Sequence, residues 1–330
     1  MPSAERSGLF QLRHRLARST PDTQRIFTTL LILIALCAFA AVLSHGIFLK
    51  PTNLLNLVFQ NAILGTVALG QLLVILTAGI DLSVGSMVGL STVLLMIFQF
   101  AGLPAAIAVT IVVPAVIGLV NGFFVSVRKL PAFVVTLAMM LFAYSLAQVI
   151  SGGAGIYSGL NGAPLSPLLV AFNRRSLLGI PFPAVVWLCA LAGVGLFMRL
   201  SVGHFTFAVG GNERAASLSG IPVRLVRLMA YVLAAVLASI GGILSVARVG
   251  EGHPAAGQTY LLDSIAAVTI GGASLAGGEG SVIGTLVGVI ILGALNNIMN
   301  LLNVSPMMQP AVKGVVILAA VYLNSRKRRQ

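Results

Sequence analysis

This 330-residue chain holds only seven side-chain carboxylates, four histidines and two cysteines. The histidines, His14, His45, His204 and His253, are scattered without metal-ligand spacing. Cys37 and Cys189 sit inside apolar runs and read as small hydrophobes, not as a disulfide or a metal pair. The lysines Lys50, Lys129, Lys313 and Lys327 follow Leu, Arg, Val and Arg, never Gly. A phosphate loop of the form G-x-x-x-x-G-K-[ST] is therefore absent, as are a nucleophile elbow, a zinc motif and a dinucleotide fingerprint. The sequence predicts no catalytic residue, no metal and no cofactor of its own, and ATP is expected only on a partner subunit.

The polar residues mark breaks instead. The stretch Gly210-Gly-Asn-Glu-Arg-Ala-Ala-Ser-Leu-Ser-Gly-Ile-Pro222 is short, polar and helix-prone. Asp81 is the only acid between Asp22 and Glu213, and it lies between Gly79 and Gly85. A charge at the bilayer centre costs about 2.5–3.5 kcal/mol on insertion scales, so membrane acids are placed at a cavity, a partner or an interface. Glycine weakens a helix and Ser83 offers a cap for a new one. The expectation is a helix end, a turn near the membrane surface and a restart, with Asp81 as turn cap. A proton or sodium site at Asp81 is the alternative. Glu279 repeats the pattern between Gly271 and Ser281, either as internal symmetry or as shared turn chemistry. The amides Asn61, Gln71, Asn121 and Asn296 are candidates for lining a pathway for a hydroxyl-rich solute or for tying helices together.

These groups need elements to hold them. Hydrophobic residues make up 58% of the chain and charged residues 8%, against about 25% charged in soluble domains. That excludes a soluble fold and predicts an all-α polytopic membrane bundle. Apolar runs lie at 26–43, 54–77, 83–101, 104–127, 131–150, 181–199, 225–247, 261–276, 281–300 and 308–323, giving about ten spans with a fair range of eight to ten. The run 261–276 is short and opens near Asp263. Glycines four apart (Gly85/Gly89, Gly118/Gly122, Gly280/Gly284/Gly288) predict close helix packing.

The formal charge of +13 follows from the positive-inside rule rather than from nucleic-acid binding. With the N-terminus inside, most Lys and Arg residues fall on cytoplasmic segments. Lys50, Arg174, Arg175 and Arg248 fall outside, and Lys313 lies within the last run. Both termini and residues 210–222 are thus expected in the cytoplasm. The organisation read from this is an arm at 1–25, a membrane domain at 26–323 and a basic tail at 324–330. The arm carries Leu9, Leu12 and Leu16 on one face beside arginines, and an interfacial helix is one reading of it. Within the membrane domain a cytoplasmic loop covers about 200–224. A Gly/Ser/Pro-rich external loop covers about 151–180 and is expected to form turns. Arg248, Glu251 and His253, on the external side, are candidates for meeting an external partner. Acids at turns and nearly neutral spans favour a separate motor over a gradient-driven carrier acting alone.

Three stretches then carry a resemblance: Gly70–Ser86 with its Thr-Ala-Gly-Ile-Asp-Leu-Ser core, Val209–Pro222, and Leu262–Ser281. Asn121-Gly122 and Lys313-Gly314 fit the same pattern. The chain resembles the membrane permeases of ribose-type sugar ABC importers, a group that includes galactoside, xylose and autoinducer-2 permeases. Branched-chain amino-acid permeases share the architecture and are the nearest alternative. The family usually has Thr-Gly-Gly where this chain has Thr77-Ala78-Gly79. The resemblance implies a second permease subunit, an ATP-binding subunit, an extracytoplasmic solute-binding protein and a bacterial inner-membrane location. It also implies that Gly210, Gly211, Asn212, Glu213, Arg214, Ala215, Ala216 and Gly220 form a loop that docks on the ATPase.

Overall fold

The computed structural model describes residues 21–160, 164–177 and 179–326. Each apolar run gives a helix. In chain order these are α1 (Pro21–Leu43), α2 (Pro51–Leu76), α3 (Val84–Phe98), α4 (Leu103–Ser126), α5 (Ala132–Ser151), α7 (Phe182–Arg199), α10 (Val223–Val249), α11 (Gln258–Ile270), α12 (Val282–Leu301) and α13 (Gln309–Arg326). Among the described residues there are three shorter α-helices: α6 (Pro167–Arg174), α8 (Ser201–Gly211) and α9 (Glu213–Leu218). Proline opens α2, α4, α6 and α7, where its missing N–H leaves no intrahelical bond unmade. The interfacial helix expected around Leu9–Leu16, most of the arm and the end of the tail lie outside the described residues.

Among the described residues seven helices are long and apolar enough to cross a membrane: α2, α3 with the 3-10 turn that extends it to Ala101, α4, α5, α7, α10 and α12. The run 261–276 does not form a complete span. Its helix α11 has 13 residues, a rise of about 20 Å against an apolar core of about 30 Å. It ends at the Gly271–Gly272 turn, and α12 packs back along it at backbone distance. A Cβ on Gly271 or Gly284 would collide with the other residue's carbonyl group, and one on Gly288 would meet the Ala267 backbone. The other four-spaced glycines do the same work, with Gly118 and Gly122 of α4 against the Tyr231 and Leu228 backbones of α10. Gly85 and Gly89 of α3 seat the 254–257 turn.

Helix α2 is the axis of the bundle, with 83% of its apolar window buried. It packs against α7, α10, α11 and α12, and Leu69, Leu72, Leu73 and Leu76 all lie in the main core cluster. The corresponding figures for α4, α5 and α7 are 28%, 22% and 22%, so these helices form the lipid- or partner-facing side. Among its described residues the loop 151–180 holds more regular structure than its composition suggests. It holds α6 and the two-residue strands β1 (Ile156–Tyr157), β2 (Ser176–Leu177) and β3 (Ile180–Pro181). Strand β1 pairs antiparallel with β4 (Glu251–Gly252), and β2 pairs with β3.

Candidate functional site

The three stretches that stand apart in the sequence meet in space. Helix α2 ends at Leu76, and the Gly278 N–H donates to the Leu76 carbonyl at 3.0 Å. Gly277 stands against Ala78, where a Cβ would lie 2.7 Å from the Ala78 Cβ. Gly210, in the last turn of α8, lies over the same point: a Cβ there would collide with the Leu76 carbonyl and stand 2.6 Å from the Gly278 nitrogen. Three backbones therefore touch where side chains would keep them apart. Gly277 and Gly278 have φ of +89° and +74°, which non-glycine residues adopt at a cost. Ala78 pays that cost, with φ at +59°.

Helix α9 projects beside this junction. Its N-cap is Asn212, whose Oδ1 accepts from the Ala215 N–H at 2.9 Å, satisfying one of the free donors of the first turn. Gly220, at φ +80°, turns the chain out of the helix. Ala216 is the one buried residue between Gly211 and Gly220. It packs with Val209 and Val226, while Arg214, Ala215, Ser217 and Leu218 stay exposed. Glu213 is tied back rather than free, its carboxylate 2.9 Å from Arg227, and the Arg227 Nε donates to the Thr77 carbonyl at 3.4 Å. A chain of contacts thus runs from α9 through Glu213 and Arg227 to the turn after α2.

That turn holds Asp81, which is fully buried. Its Oδ1 accepts from the Ser83 N–H at 2.8 Å and from the Ser83 hydroxyl. Ser83 sits at the N-cap of α3 but makes no capping bond. Its hydroxyl serves Asp81 and accepts from Asn121 Nδ2 at 2.9 Å. The turn-cap reading of Asp81 thus has its partners, and Asn121 is a tie between α4 and the turn. Gly79 leaves room for the Tyr231 hydroxyl, which a Cβ would approach to 2.7 Å. Glu279 is exposed at the second break, where its carbonyl accepts from the Ser274 N–H.

The scattered amides separate into two sets. Gln71 is fully buried in α2, apart from the others. Asn61 and Asn296 line a common cavity of about 260 Å³. The interior of the bundle also holds an ion pair. Lys313 Nζ and Asp263 Oδ2 are 2.8 Å apart, with both side chains mostly buried, and they line the same cavity. Fifty residues separate them in the chain, so neither one's neighbourhood announces the pair. The signal was available only as two opposite charges, each alone in an apolar run.

Two of the three external candidates, Glu251 and His253, are engaged within the fold. Glu251 lies beside the Tyr157 hydroxyl and pushes that phenol above its ordinary range. The His253 N–H donates to the Thr92 hydroxyl at 3.0 Å, and its Nδ1 accepts from the Ala255 N–H.

Residues 53–321 match the family model described as branched-chain amino acid transport system / permease component. A ribose import permease of Bacillus subtilis is 40% identical over 85% of this chain and 87% of its own length. The ribose import permease of Escherichia coli K12 is 39% identical over 91% of this chain and 94% of its own. A xylose transport system permease of Haemophilus influenzae is 35% identical over 93% and 97%. No solved structure matches the chain. This multi-pass helical protein, with its three-way backbone junction beneath an exposed short helix, belongs to the family of branched-chain amino-acid transport system permease components.

Proposed function

We infer that the chain is the membrane subunit of a binding-protein-dependent ABC importer in a bacterial inner membrane, carrying a monosaccharide and driven by a separate ATPase. The names of its relatives support the solute class. The observation that carries the mechanism is the junction of Gly210, Leu76–Ala78 and Gly277–Gly278 directly beside the exposed face of α9. In this reading α9 is the docking element, held by Ala216 and offering Arg214, Ala215, Ser217 and Leu218 to a groove on the ATPase. Closure of the ATPase pair moves α9. Because the junction is bonded and close-packed, α2 and the 271–281 turn move with it. Helix α2 is the rod that carries the displacement across the bundle.

This assignment puts α9, both termini and the ends of α2 and α4 on the cytoplasmic side, in keeping with the positive-inside bias. The lipid- or partner-facing helices supply the face for a second permease subunit. The partner ATPase binds the ATP, and a secreted binding protein delivers the solute to the opposite face. The buried Asp263–Lys313 pair is charge-compensated by its own partner, so it supplies no reason to invoke an ion gradient.

Reconstitution tests the reading. Proteoliposomes holding the permease, its ATPase and the binding protein are expected to accumulate ribose or xylose only with ATP. Accumulation by the permease alone, following a proton or sodium gradient, would refute it.

A further inference from the structure

A groove of about 660 Å³ lies between the last half of α7 and the first turns of α12, with Phe207 of α8 also in its wall. The walls are apolar, formed by Leu188, Leu191 and Leu196 of α7 and Ile283 and Leu286 of α12. Leu196 and Ile283 are exposed, so the groove opens on the outer surface of the bundle. Positions 188, 191, 195 and 199 recur at three- and four-residue spacing and share one face of α7. Gly195 keeps that face open, since a Cβ there would meet nothing within 4 Å. Glycine weakens a helix interior, and here it leaves depth for something else to fill.

Among the described residues lining the groove, Arg199 is the only charged one. It is exposed and takes part in neither of the ion pairs found among the described residues. The one hydroxyl in the wall belongs to Ser281, which already accepts from the Gly284 N–H as the cap of α12. A polyhydroxylated solute would find almost nothing here to bond.

The dimensions point to lipid. From Leu188 to Arg199 is eleven residues along α7, a rise of about 16 Å against an apolar core of about 30 Å. That is the depth of one leaflet. The charged end leads through α8 into α9, so in the orientation given above it is the cytoplasmic end. A phospholipid of the cytoplasmic leaflet has the same profile, an acyl chain about one leaflet long with a phosphate at its cytoplasmic end. Basic pockets between membrane helices on that side take anionic headgroups. The start of α12 lies at the same end, where a helix dipole also favours an anion. A second copy docked groove to groove about a two-fold axis would instead bring a second Arg199, with no acid in the groove to meet either.

We propose that this groove binds one anionic phospholipid of the cytoplasmic leaflet, its acyl chain along α7 beside Gly195 and its phosphate at Arg199. The proposal rests on the orientation in the import reading above.

The test is native mass spectrometry of the full-length permease in detergent, with phosphatidylglycerol and phosphatidylcholine of matched acyl chains and inorganic phosphate as a third arm. The wild type is expected to retain one phosphatidylglycerol at least fivefold more tightly than phosphatidylcholine, and no phosphate. Arg199→Gln is expected to weaken phosphatidylglycerol about fivefold, the equivalent of ~1 kcal/mol, and to leave phosphatidylcholine unchanged. Gly195→Leu fills the groove from an open position and is expected to weaken both lipids at least tenfold. Gly193→Leu stands at an equally open position outside the groove and is expected to match the wild type. Thermal melting checks that each variant is folded. Equal retention of the two lipids by the wild type, an undiminished preference in Arg199→Gln, or capture of phosphate without a lipid preference overturns the site. A wild-type dimer that Gly195→Leu splits, with lipid retention unchanged, gives the groove to a second copy and overturns it too. The complete importer separates the two claims. ATP-driven sugar uptake by a permease without lipid preference sinks the site alone. A retained preference, with uptake that follows an ion gradient and needs no ATPase, sinks the import reading alone.

Discussion

Gly210 and Gly211 are adjacent and chemically identical, yet the structure assigns them opposite tolerance. In Gly210→Ala the new methyl group would overlap the Leu76 carbonyl and stand 2.6 Å from the Gly278 nitrogen. Those are backbone atoms and cannot rotate aside. Helix α8 must lift, and the Gly278–Leu76 hydrogen bond of 3.0 Å lengthens or breaks. Overpacking costs about 1–3 kcal/mol and the lost bond about 1 kcal/mol. Alanine's better helix propensity returns only about 0.5–1 kcal/mol, leaving a net cost of about 1–3.5 kcal/mol. Coupling between distant sites is itself only about 1–3 kcal/mol. A strain in the middle of that range at the junction is expected to lower ATP-driven uptake by more than tenfold, since about 1.4 kcal/mol is one decade. In Gly211→Ala nothing lies within 4 Å of the added group, and uptake and melting temperature are expected to match the wild type within about 0.5 kcal/mol. Uptake per reconstituted permease, with thermal melting of each variant in detergent, checks both arms. Equal behaviour of the two variants would refute the close-packed junction.

Three further outcomes follow from the same geometry. Ala78→Gly relieves a left-handed residue at φ +59° and is expected to stabilise by up to about 1 kcal/mol. Ala78→Val adds branching there and against Gly277 and is expected to destabilise by about 2 kcal/mol or more; thermal melting measures both. Asp263→Asn and Lys313→Met each strand a buried charge or polar group and are expected to cost about 3–5 kcal/mol. The double variant should recover most of this, and a double-mutant cycle in melting reads the coupling. Ala215→Trp enlarges an exposed position of α9 while Ala216→Trp overfills the buried one. The first is expected to leave folded yield intact and abolish uptake in the reconstituted importer, the second to lower the folded yield by size-exclusion chromatography.

Much of this arrangement is legible in the chain. The apolar runs become helices because few residues within them can be solvated. The breaks at Asp81 and Glu279 are visible because glycine and an acid together cannot continue an apolar helix. The small residues of 210–220 mark a surface element because only Ala216 has a core position to fill. What was not legible depends on contacts far apart in sequence. The meeting of Leu76, Gly210 and Gly278 is a property of packing, and no local pattern encodes it. Helix α11 reads as a span by composition, yet only 13 of its residues are helical, between the 254–257 turn seated on α3 and the Gly271–Gly272 turn. The Asp263–Lys313 pair joins two charges fifty residues apart, in helices outside the seven long spans. Ser83 has the residue type of a cap, and the stronger claim of the Asp81 carboxylate takes its hydroxyl.

The central claim is that the face of α9 beside the three-way junction seats on the ATPase. Leu218 and Leu160 are each 83% exposed, one on α9 and one in the 151–180 loop. In a background lacking Cys37 and Cys189, single cysteines at these two positions can be cross-linked in the assembled importer. The expected result is a cross-link from position 218 to the ATPase, with a yield that changes when ATP is added, and none from position 160. A cross-link from 160, or position 218 remaining equally accessible to a water-soluble thiol reagent with and without the ATPase, would contradict it.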